Sequence, residues 1–237
     1  MNNLKRPGGE LVSRPLRFFW IVDCSLSMSG TKIGTVNSAI AEIIPEMRRE
    51  AEDNPNAQVF VRALQFSTGA SWITPDFVPI DDYTWSDLST GGETTDMGAA
   101  FSLVAAQLFM PPMPERSLPP VLVLLTDGLP TDEYKAPLKN LLELPWGKKA
   151  IKVAIAIGDD ADKKVLREFV GNPEAVLEAN NAATLVRMIK WASTLVKQAS
   201  APKNHDSDDR SGNGNASPIV IDPANYADPD DSSGGVF

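Results

Sequence analysis

Short, nearly continuous apolar runs alternate along the chain with longer stretches in which apolar residues recur every three or four positions. Leu16–Val22, Gln58–Phe66, Val121–Thr126 and Ile151–Ile157 are runs of the first kind, as strands covered on both faces require. Ser71–Ile73 and Val176–Glu178 read as shorter strands nearer the edges of a sheet. Between the runs, Ile33–Ala51 sets Ile33, Val36, Asn37, Ile40, Ile43, Ile44 and Met47 on one stripe of a helix. Met97–Leu108, Glu133–Glu143 and Ala182–Val196 follow the same period, and a short helix fits near Ala161–Val170. This alternation predicts an α/β fold with three layers: a doubly wound, mostly parallel central sheet with helices on both faces. The prolines Pro111, Pro112, Pro114, Pro119 and Pro120 cannot sustain a helix and predict a stiff connector into the strand at Val121.

Composition divides the chain into an N-terminal extension (1–15), one domain (16–197) and a polar, acidic tail (198–237). Of the 237 residues 43% are hydrophobic, enough for one sizeable core. The tail holds seven Asp against one Lys and one Arg, too polar to offset its own ordering entropy. Its apolar islands are Pro218-Ile219-Val220-Ile221 and Gly235-Val236-Phe237. The net charge of −9, without a run of Lys or Arg, argues against nucleic acid as a partner. A single cysteine, Cys24, excludes an intramolecular disulfide and favours a reducing compartment. Phe18–Val22 is too short to span a membrane. The expectation is a cytoplasmic protein with no membrane contact.

The chemistry lies at the ends of the strands. Asp23-Cys24-Ser25-Leu26-Ser27 follows the run ending at Val22, Gly91-Gly92-Glu93-Thr94-Thr95 precedes the helix near Asp96, and Thr126-Asp127-Gly128 closes the run Val121–Leu125. In a parallel sheet all three project from the carboxyl edge, where such folds collect ligands. Any one fragment alone is most simply a helix cap or a turn. Together, Asp23, Ser25, Ser27, Thr95 and Asp127 offer a hard divalent cation hydroxyl and carboxylate oxygens. Mg²⁺ is expected, with Mn²⁺ or Ca²⁺ as alternatives; Mg²⁺ takes six oxygens at about 2.0–2.1 Å and retains some water. With only two carboxylates, such an ion keeps positive charge and can accept an Asp or Glu carboxylate from a partner protein. A lysine filling the pocket would exclude it.

These residues resemble the metal-ion-dependent adhesion site of von Willebrand factor A domains, whose pattern is Asp-x-Ser-x-Ser, then Thr, then Asp, and the resemblance covers about residues 16–197. It implies that both serines and the threonine touch the ion, with the aspartates binding directly or through water. In that family the threonine follows Gly-Gly directly; here Glu93-Thr94 intervenes, so Thr95 is the expected ligand, Thr94 the reserve, and Glu93 either a supporting carboxylate or a solvent-facing residue. Leu124–Asp132 (LLTDGLPTD), Ala154–Asp162 (AIAIGDDAD) and Thr184–Ser193 are similar to bacterial TerY-type proteins associated with tellurite resistance. That similarity implies a non-enzymatic adaptor working beside a protein kinase and a PP2C-type phosphatase in a stress or defence module.

Two other readings compete. A metal-independent scaffold would bind through its flanks and tail. A Mg²⁺-dependent phosphoryl-transfer enzyme would use Asp23 as nucleophile, but the position two residues on is Ser25, and no lysine is evident beside the three motifs. His205, the one histidine, lies in the tail, and no nucleotide loop is present. Cys24 reads as a small buried thiol. Trp85 and Trp146 fall in expected connections, as packing residues or partner anchors. Charge logic further suggests that Asp228, Asp230, Asp231 or the carboxylate of Phe237 fills the open position of the ion.

Overall fold

From Phe18 to Asp23 every side chain of the first strand is 0% exposed. Successive side chains of a strand point to opposite faces, so both faces are covered here. The computed structural model describes residues 13–54, 56–158, 161–189 and 194. Strand β1 (Arg14–Asp23) lies at the centre of a seven-stranded sheet. It pairs in parallel with β2 (Ala57–Ser67) on one side and with β5 (Val121–Thr126) on the other. Parallel pairing continues from β5 to β6 (Ile151–Ile157) and on to β7 (Val176–Ala179). Beyond β2, β3 (Gly69–Trp72) and β4 (Val78–Pro79) pair antiparallel with it. The expected fold class therefore holds: a mostly parallel central sheet within a three-layer α/β arrangement.

Helix α1 (Thr31–Glu52) buries Ile33, Val36, Asn37, Ile40, Ile43, Ile44 and Met47, the stripe read from the sequence. It is followed along the chain by α2 (Met97–Gln107), α3 (Lys135–Glu143), α4 (Pro145–Lys149) and α5 (Lys163–Val170). A last helix occupies 182–189, and Thr194 is helical as well; the rest of the expected continuation to Val196, Asp159-Asp160 and the tail lie outside the described residues. Among the described residues no helix is long and apolar enough to cross a membrane. No helix or strand intervenes between α2 and β5, where the proline cluster stands.

Three local expectations change. The first strand begins at Arg14, inside the stretch assigned to an extension, because Arg14 donates its backbone N–H to Asn56 O at 3.0 Å and its guanidinium to Ser117 O at 2.7 Å. Strand β4 was not anticipated. Trp146 belongs to a helix rather than a connection: α4 starts at Pro145, and Trp146 is 9% exposed. Gly147 lets α4 close against α3, since a Cβ there would lie 1.8 Å from Leu141 O. Trp146 is thus a packing residue.

The connection from β4 to α2 is long and irregular, and one buried amide pins it. Asn37 donates Nδ2–H to Leu88 O at 2.9 Å, while its Oδ1 accepts Leu88 N–H at 2.9 Å and Trp85 Nε1–H at 3.2 Å. Trp85 is accordingly tied to α1. Removing this amide strands buried partners that water cannot reach. Asn37→Ala should cost about 3 kcal/mol in urea denaturation and speed hydrogen exchange at the Leu88 amide, whereas Val36→Ile on the same helix should leave that amide protected.

Candidate metal centre

Strands β1 and β5 are adjacent in space although the chain visits β2 between them, so their carboxyl ends flank the crevice where strand order reverses. The register opposes Val22 to Leu125, which brings Asp23 beside Thr126. Thr126 donates its hydroxyl to Asp23 Oδ2 at 2.5 Å, and Ser25 donates its backbone N–H to Asp23 Oδ1 at 2.8 Å. With Asp23 0% exposed, burial pushes its carboxyl above the ordinary carboxylate range; these hydrogen bonds oppose the shift and Asp127 adds to it. The sign follows by linkage. The folded, metal-free state holds this proton more tightly than the unfolded chain, so its stability falls as pH rises from the ordinary carboxylate range through the raised value. A cation would relieve that cost.

Above Asp23 the hydroxyls form a chain. Ser25 Oγ and Ser27 Oγ share a hydrogen bond of 3.0 Å, and Ser27 donates to Asp127 Oδ1 at 2.7 Å. Ser25 and Asp127 are buried and Ser27 is exposed, so the site opens to solvent at Ser27. Thr95 joins from the start of α2. A Cβ placed on Gly128 would find Thr95 Oγ1 at 3.6 Å, Asp23 Oδ2 at 3.8 Å and Ser27 Oγ at 3.8 Å as its nearest neighbours. Two oxygens from the Asp23–Ser27 loop and one from the start of α2 thus face one small volume that the glycine of a third segment leaves open.

Thr94 does not join them: its hydroxyl donates to Thr68 Oγ1 at 2.9 Å. Glu93 is exposed. The five residues picked out in the sequence are therefore gathered into one cluster, with Thr95 and not Thr94 turned toward it. Among the described residues no three His, Cys, Asp or Glu side chains form a metal-holding group; three of the five residues here offer hydroxyls. That donor set fits a hard divalent ion better than a soft one.

A lysine does stand beside the motifs, contrary to the sequence reading. Lys32, in the first turn of α1, donates to Asp127 Oδ2 at 2.6 Å. Its ammonium is not among the three atoms nearest the Gly128 point, all of which are site oxygens. Nor does it restore a nucleophile, since both oxygens of Asp23 are already engaged within the fold.

Several supporting residues were missed. Thr131 accepts the Thr95 N–H at Oγ1 (2.8 Å) and donates its own N–H to Thr95 O (3.0 Å). Asp132 accepts Gly98 N–H and Ala99 N–H, each at 2.9 Å, at the start of α2, where a carboxylate suits the helix dipole. Asp96 accepts Gly69 N–H at 2.7 Å, tying the start of α2 to β3. The only sequence signal was that Thr126, Thr131 and Asp132 belong to the LLTDGLPTD stretch. Cys24, 3% exposed, lies behind the cluster, its thiol pushed up to about 12 by burial first and by Asp23 second.

Comparison with known proteins places this geometry. Residues 19–191 match the family model of the von Willebrand factor type A domain. The pilus adhesin SpaC from Lactobacillus rhamnosus GG superposes with a TM-score of 0.63 at 14% identity, over 80% of this chain and 31% of that one. A von Willebrand factor type A protein from Catenulispora acidiphila gives 0.57 at 18%, over 78% and 43%. Proximal thread matrix protein 1 from the mussel byssus, with a zinc-occupied MIDAS motif, gives 0.53 at 18%, over 78% and 46%. The chain spans less than half the length of these structures. No curated protein matches it.

Two outcomes follow. Lys32→Met leaves Asp127 without its ammonium partner, so metal-free protein should lose about 2–3 kcal/mol in denaturant titrations; this is below the range for fully buried pairs because Lys32 keeps some contact with water. Saturating Mg²⁺ should restore most of the loss. Cys24 should resist a thiol-specific disulfide reagent at pH 8 in native protein and react fully once the chain is unfolded.

Proposed function

Because the chain belongs to the von Willebrand factor type A family, we propose that Asp23, Ser25, Ser27, Thr95 and Asp127 hold a divalent cation, Mg²⁺ in the first instance, and that the ion captures an acidic side chain of a partner protein. The observation that carries this reading is the convergence of Thr95, Asp23 and Ser27 oxygens on the space beside Gly128. The charge balance supports it. Against a divalent ion stand the two carboxylates Asp23 and Asp127, and Lys32 already neutralises part of Asp127. The loaded site keeps positive charge, facing solvent through Ser27, and a carboxylate from outside satisfies both charge and coordination.

Within this reading Asp23 is a ligand and not a reacting group. Asp23 is too buried and too fully hydrogen-bonded to attack a phosphoester, which favours a binding module over an enzyme. The likeness of Leu124–Asp132, Ala154–Asp162 and Thr184–Ser193 to TerY-type proteins supports the finer proposal of a bacterial cytoplasmic adaptor in tellurite resistance or stress signalling. Its partners would be a protein kinase and a PP2C-type phosphatase.

Calorimetric titration of the full chain with Mg²⁺ tests the reading. Ser27→Ala and Thr95→Ala should each weaken binding by at least about tenfold, and EDTA should release a partner that the native protein retains in Mg²⁺. Equal Mg²⁺ affinity in both variants, or capture indifferent to EDTA, would leave a metal-independent scaffold as the better description.

A further inference from the structure

Two large apolar side chains are exposed in the loops that carry the candidate ligands. Leu26, between Ser25 and Ser27, is 54% exposed, and Leu129, two residues after Asp127, is 61% exposed. Beside a solvent-facing cation they would add apolar contact to a bound carboxylate. The chemistry of such a ligand is specific: a carboxylate for the ion, carried next to bulky aliphatic residues for the leucines.

Two such segments lie outside the described residues, but Glu10-Leu11-Val12 joins the amino end of β1, a strand length of about 30 Å from Asp23, which leaves the tail. Of the seven aspartates in 198–237, only Asp222 has a bulky aliphatic neighbour, in Pro218-Ile219-Val220-Ile221-Asp222. In an extended segment Val220 and Asp222 share a face, which sets an aliphatic group and a carboxylate side by side. Reach is not limiting. The backbone from Gln198 to Asp222 spans at most about 80 Å, against a radius of gyration of about 16 Å for a domain of this size. We propose that Ile219–Asp222 docks on the metal centre of its own chain, Asp222 completing the shell of the ion and the aliphatic residues covering Leu26 and Leu129. This inference rests on the metal-binding reading, and it shifts the donor from Asp228, Asp230 or Asp231, which lack aliphatic neighbours. An external acidic partner would then have to displace the tail, so the segment acts as a tethered competitor.

The full-length protein serves for the test. In Mg²⁺ calorimetry, Asp222→Ala should weaken binding on the order of tenfold, Leu129→Ser should weaken it in the same direction, and Asp228→Ala should match the native chain. Separately, Leu129→Cys combined with Val220→Cys should form an intramolecular disulfide in Mg²⁺ and much less in EDTA. The buried native thiol does not compete, and Phe109→Cys, exposed beyond the far end of α2, serves as the control partner. Native-like Mg²⁺ affinity in Asp222→Ala, with Ser27→Ala still defective, overturns the tail proposal and leaves the metal site standing; loss of neither overturns both. A disulfide-linked dimer moves the occupant to a second copy, and an effect seen only on deleting Val236 and Phe237 moves it to the segment Gly235–Phe237. Either result overturns the assignment to Asp222 of the same chain.

Discussion

Two carboxylates are buried side by side where β1 and β5 end, and the surrounding structure is organised around the cost of keeping them there. A carboxylate removed from water without compensation is prohibitive. Asp23 is compensated from within the sheet, by Thr126 across the strand pair and by the backbone of its own loop. Asp127 is compensated from outside it, by Ser27 and by Lys32 reaching back from α1. The two solutions differ in kind. Asp23 is fixed by strand register and cannot move without breaking the sheet, whereas the partners of Asp127 are a loop hydroxyl and a long side chain. A rigid floor and an adjustable rim result from the same pair of residue types.

The strands were legible because parallel strands covered on both faces must be apolar at nearly every position, and few other structures impose that pattern. Asp23, Ser25, Ser27, Thr95 and Asp127 were legible as a set because each follows a strand or precedes a helix on one edge of the sheet. Their supports were not, since Thr126, Thr131 and Asp132 act on groups distant in sequence and carry no periodicity of their own. Lys32 illustrates the difficulty: in the sequence it is one polar residue at a helix start, and only the turn between the Asp23 loop and α1 brings it onto Asp127. Asn37 is the reverse case. It sits on the apolar stripe and looks like an interruption, yet its amide fixes the irregular segment between β4 and α2. Trp146 was placed in a connection because α4, only a turn or so long, has no detectable period.

Hydroxyl ligands also set the character of the centre. They satisfy a cation's preference for oxygen without cancelling its charge. The same five positions filled with carboxylates would bind more tightly and would repel the acidic groups that this arrangement attracts.

The start of α2 is fastened three times over: Thr131 grips Thr95 through two hydrogen bonds, Asp132 holds the N–H groups of Gly98 and Ala99, and Gly98 lies so close that a Cβ there would meet Glu133 O at 2.7 Å. The segment 131–134 leads directly into α3. Thr95 consequently cannot be displaced alone. Its hydroxyl is presented by a bracket that joins the starts of two helices, so the position of this one oxygen is set by the packing of α2 against the segment entering α3.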